Sequence, residues 1–315
     1  MLDPGSGLGA RLMIWRRLML AVTGLELVPI DVLDRVGRLA RAFEAQVDLF
    51  HCLYEPEAAQ AQAARGGAVN LIAARVEERR RRLERLADIL RDQGVTVNAS
   101  VRWDFPIYEG IIRQALRHKP DLLILPALAL QEAHRTLVYR EQRLIAAAPC
   151  AVLFIKTREV YSKGCVVAAV DPAHAREADG DLDELAIGAA KTLAGALADV
   201  PVHLCHAESP AVDGAPHVPG EQLEAQVRRL AERHEIAPTQ VHVACGTPEE
   251  VLSLCVRQAR AQSLVLGVPS EPAALRRGSE RLVERIECDV LVLKTHYAHP
   301  GVGTESSPAV LPQSL

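Results

Sequence analysis

The 315-residue chain carries the same pattern twice, and this repeat restricts its fold more than any other feature. RLMLAVTG at 17–24 aligns with CVVAAVDP at 165–172, which sets Thr23 opposite Asp171. DLFHCLYEP at 48–56 resembles VHLCHAESP at 202–210, read with Cys52 opposite Cys205. APCAVLFIK at 148–156 pairs with IECDVLVLK at 286–294, so Cys150 stands opposite Cys288 and Lys156 opposite Lys294. Order is kept while spacing drifts, as in a duplicated domain whose loops have changed length.

Each half alternates strand and helix. Strands are predicted at 17–22, 46–53, 95–103, 121–126 and 151–156, with helices around 30–44, 67–93, 107–118 and 138–147. The second half predicts strands at 165–170, 200–207, 239–245, 263–267 and 289–294, and helices near 181–198, 220–234, 248–261 and 279–287. Short, continuously apolar runs such as LLIL and VLVL suit a parallel sheet covered on both faces. The expected fold class is therefore α/β, with two tandem, doubly wound, open, five-stranded parallel sheets of Rossmann-like type. The expected division is a first domain at 12–157, a second at 163–298, and a Pro-, Gly- and Ser-rich tail at 299–315. The short TREVYSK link places the halves side by side. The apolar edge of 151–155 is expected to cover that of 289–293, giving an internal pseudo-dimer that stays a monomer or forms one further dimer.

Composition excludes several functions. A net charge of −4 gives no general attraction to nucleic acid or anionic membrane. The basic run at 77–85 is interleaved with glutamates and continues a helical apolar spacing, so it reads as a solvated helix face. Seven scattered cysteines without a C-x-x-C pair, no signal-like leader and no span of about 20 apolar residues lead to the expectation of a cytoplasmic protein.

The strand-acid opening VVAAVDP followed by LDE, the HLCHAESP strand, CGTPEEVL, VERIECDVLVLK, and VRWDFPIYEGII in the first half together resemble the universal stress protein family, specifically its tandem E-type members. The resemblance covers roughly residues 12–298. It implies a non-catalytic stress-response protein, with unidentified protein partners. In the ATP-binding members an Asp at the end of strand one meets adenine. A G-x2-G-x9-G-[ST] loop then cradles the phosphates through backbone N–H groups. Carried over, this assigns Asp171, Gly267, Ser270 (where the middle glycine is expected), Gly278 and Ser279 to a nucleotide, with ATP or another small ligand expected. The loop is two residues shorter than the family pattern. In the first half Thr23 and Pro126 replace the acid and first glycine, so any nucleotide belongs to the second half.

Asp171 equally suits a structural part, capping N–H groups at the turn into the next helix, although Asp179 and Asp181 are better placed for that. His203, Cys205 and His206 carry metal-ligand chemistry, with His242 and Cys245 nearby in the fold, but alternation along a strand splits them between two faces and no metal is expected. Lys156 and Lys294 read as edge-blunting lysines. No G-x-S-x-G elbow, Walker loop or metalloprotease helix is present, so catalytic residues are not expected. The alternatives are a ligand-free interaction scaffold and a weak nucleotide hydrolase.

Overall fold

Short runs of branched apolar residues form central strands buried along almost their whole length, while the strands at the two sheet edges are largely half-buried. A computed structural model describes residues 13–22, 28–64, 70–126, 143–156, 164–172, 182–208, 220–268 and 285–294. The first five strands are β1 (Arg17–Val22), β2 (Gln46–Leu53), β3 (Val97–Trp103), β4 (Leu122–Pro126) and β5 (Ala151–Ile155). The second five are β6 (Cys165–Ala169), β7 (Val202–Glu208), β8 (Val241–Cys245), β9 (Ala261–Val268) and β10 (Asp289–Lys294). Between them lie α1 (Ile30–Ala42), α2 (Pro56–Ala64), α3 (Leu71–Asp92), α4 (Ile107–His118), α5 (Leu182–Ala196), α6 (Glu221–Arg233) and α7 (Pro248–Gln258).

The strands form one sheet in the order β3-β2-β1-β4-β5-β10-β9-β6-β7-β8. Within each half every pairing is parallel and the strand order is the same. The halves meet where β5 pairs antiparallel with β10, with Phe154 beside Val290 and Val152 beside Val292. Side-chain alternation sends Leu18, Leu20 and Val22 to a layer under α1, α3, α5 and α6, which continues across both halves. Met19 and Ala21 enter the opposite layer, under α4 and α7.

The helices obey local rules. At CGTPEEVL, Thr247 caps α7 by accepting from the Glu250 N–H, Glu250 reaches back to the Thr247 N–H, and Pro248 opens the first turn. Gly246 precedes them at φ +150°, where a Cβ would also lie 3.0 Å from Val251. On α3 the basic run is paired within the helix, Glu77 with Arg80 and Arg81, and Glu78 with Arg75 and Arg82.

Three readings need correction. The second strands align with His51 opposite His206, because His51 lies beside Val22 in the β1–β2 register while the β6–β7 register sets Ala169 beside Cys205. Cys52 therefore does not stand opposite Cys205; Phe50 does. Helix α2, PEAAQAQAA, was not expected, since an alanine and glutamine run has no apolar stripe to reveal it. Lys156 and Lys294 do not blunt an edge. Each is buried and crosses the β5–β10 seam: Lys294 Nζ donates to the carbonyls of Ala146 (2.7 Å) and Ala148 (3.1 Å), and Lys156 Nζ donates to that of Ile286. Beside them the Arg35 guanidinium pairs with Asp289, which also accepts from the Lys156 N–H at 2.9 Å.

Candidate functional site

Parallel strands point their carboxyl ends the same way, and the crevice outside those ends is where such sheets take ligands. In the second half β6 runs out at Ala169, and Val170 N–H donates to the Cys205 carbonyl at 3.0 Å. Asp171 follows with its side chain 43% exposed. Its backbone N–H donates to Asp183 Oδ1 at 2.9 Å, so Asp183, in the first turn of α5, secures this turn. Burial pushes the Asp183 carboxyl up from its ordinary value, and the N–H of Asp171 pulls the other way. Asp179 and Asp181 lie outside the described residues.

His206 on β7 sits beneath Asp171. Its Nδ1 is 2.8 Å from the Val170 carbonyl, which fixes the proton on Nδ1, and 3.8 Å from Asp171 Oδ1. Nε2 is buried without a hydrogen-bond partner among the described residues. The first half repeats the arrangement: His51 Nδ1 donates to the Val22 carbonyl at 2.7 Å, and Nε2 is again buried and unpartnered. Burial holds the His51 pKa below its ordinary value, against the pull of that carbonyl. Sequence reasoning weighed His206 only as a metal ligand and did not pair it with His51. The signal was V-x-L-x-H, present at 47–51 and again at 202–206.

Gly267 lies at the carboxyl end of β9. A Cβ there would come within 2.5 Å of Leu182 Cγ, so the first residue of α5 fills the space that a side chain at 267 would take. Ser270, Gly278 and Ser279 lie outside the described residues, as does Thr23. Pro126 ends β4 beside Ile155. His203 and His242 stack, Nδ1 to Nε2 at 2.9 Å, while Cys205 is buried. Among the described residues no group of three or more His, Cys, Asp or Glu could hold a metal ion.

A family model described as the universal stress protein family matches residues 15–156, the stretch from Trp15 to the end of the first five strands. These residues belong to the universal stress protein family. The curated Universal stress protein E of Photorhabdus laumondii is 24% identical over 225 residues, covering 64% of this chain and 70% of its own length. Universal stress protein E of Escherichia coli K12 is likewise 24% identical, over 219 residues, covering 64% and 69%. A solved universal stress protein from Archaeoglobus fulgidus overlays 90% of this chain and 98% of its own with a TM-score of 0.65 at 15% identity, a likeness of fold. The matched stretch is the half that contains Thr23 and Pro126. The second five strands repeat its strand order, and Asp171 follows the first of them.

Proposed function

We propose that this chain is a non-catalytic stress-response protein whose second half binds a nucleotide, with ATP the first candidate. The supporting observation is Asp171: a part-exposed carboxylate at the carboxyl end of β6, in a turn whose backbone N–H is held by Asp183. In this reading Asp171 and Gly267 face the ligand, and Ser270, Gly278 and Ser279 carry its phosphates. The domains divide near 157–163, and the protein acts in the cytoplasm through protein partners. No described helix is long and apolar enough to cross a membrane.

A ligand-free scaffold is the second reading, favoured by Leu182, which occupies the space beside Gly267. Calorimetric titration with ATP decides between them. In the nucleotide reading wild type binds and Asp171→Asn weakens binding by about 10- to 150-fold, the loss of one charged hydrogen bond, with an unchanged melt. Absence of binding at millimolar ATP would favour the scaffold.

A further inference from the structure

A cavity of about 950 Å³ opens at the seam, where α1 of the first half faces the starts of β9 and β10 and the end of α7 from the second. Its size is that of a small-molecule pocket, and sites between domains are common hosts for such ligands. Arg35, Arg38 and Arg41 line it from one flank of α1, and Arg257, in the last turn of α7, also lines it. Arg35 is engaged with Asp289 and Arg41 with Gln93. The side chains of Arg38 and Arg257 are exposed and make no hydrogen bond or ion pair among the described residues. Two of the acids in the cavity are already held, Asp289 by Arg35 and the Lys156 N–H, and Asp34 by the Gln93 amide at 2.9 Å.

The pseudo-symmetric groove on α5 is built differently. The buried positions superpose Val32, Leu33, Val36 and Leu39 on Ala186, Ile187, Ala190 and Leu193. Arg35, Arg38 and Arg41 therefore correspond to Ala189, Thr192 and Gly195. Of these, Ala189 is buried and Thr192 Oγ1 accepts from the Met13 N–H at 3.1 Å. Among the described residues, then, arginines stand on α1 where small residues stand at the matching positions of α5.

We propose that this seam cavity binds a small, multiply phosphorylated anion, with Arg38 and Arg257 as its clamps. Guanidinium groups present paired N–H donors that match phosphate oxygens. The site is separate from the crevice at Asp171, drawing α1, Gln93 and Lys156 from the first half and the rest of its wall from the second. Pyrophosphate titrated calorimetrically into the full chain at low salt tests it, with sulfate at equal ionic strength as the control for screening. The expected result is one site per chain that prefers pyrophosphate over sulfate. Arg38→Ala with Arg257→Ala weakens it at least ten-fold, the corresponding double lysine variant falls between, and Asp171→Asn leaves it unchanged. Both arginines are exposed, so the melting temperature should hold in these variants. No binding to wild type at millimolar pyrophosphate, unchanged affinity in the double alanine variant, or loss of binding on Asp171→Asn would each overturn the assignment.

Discussion

A methyl group at Gly267 would press on Leu182 Cγ from 2.5 Å, a contact that one of the two must yield. Gly267→Ala is expected to cost about 1 to 3 kcal/mol of stability, the usual range for overpacking. Combined with Leu182→Ala the penalty should shrink, and a thermodynamic cycle of the single and double variants measures the coupling. Leu182→Ala also opens the space beside the glycine, so in the nucleotide reading it should strengthen ATP binding. Lys294 gives a second residue-scale test. Burial lowers its pKa from the ordinary 10.5 to about 8. Between these values the unfolded chain binds more protons than the folded one, so this residue's contribution to stability rises as pH climbs from about 8 to 10.5. The gain is at most about 3 kcal/mol, since the Ala146 and Ala148 carbonyls favour the charged form. The buried thiols of Cys150 and Cys165, pushed up to about 12, act in the opposite sense above pH 9. The readout is therefore the difference between wild type and Lys294→Met across pH, and a flat difference would contradict the shift. Asp171 was legible in the sequence because a strand ending in an acid is a local pattern. The twin histidines were not: aligning the second strands on their cysteines hid the V-x-L-x-H frame, and a bond to the neighbouring strand's carbonyl has no local mark.

Helix α7 is the element whose start was most plainly written, in the Thr247-Pro248-Glu249-Glu250 run. Its reciprocal cap predicts that Thr247→Ala destabilises the protein by about 1 kcal/mol, read from denaturant midpoints, while Thr247→Ser costs a few tenths. An equal loss in both variants would show that the methyl group, not the oxygen, carries the effect. The strands were legible for a related reason: residues buried on both faces leave continuous apolar runs, and β1, β2 and β10 fall at the expected residues. Helix α2 escaped because its ties run to α3 through polar groups, Gln62 accepting from the Ile72 N–H and Glu55 just before it holding Arg75 and Arg79. Pairs of that kind leave no period in the sequence.

The whole molecule follows from the repeat and from what its two apolar edges do to each other. With β5 and β10 buried against one another, the full chain should sediment as a monomer or as one further dimer through another surface, and a concentration-dependent ladder would contradict the closed seam. A chain cleaved within 157–163 should stay associated through that pairing. Legible in advance were the edges; the lysines that cross the seam were not, since their carbonyl acceptors lie more than 100 residues away. In a symmetric homodimer every substitution is made twice, once on each side of the axis. Joining the two partners in one chain removes that constraint, because each side of the seam is encoded separately. An arginine can be introduced on α1 while the matching position on α5 shrinks to alanine or glycine, and neither change forces the other. The covalent link thus lets a twofold architecture host a one-sided surface, which an assembly of identical subunits cannot do.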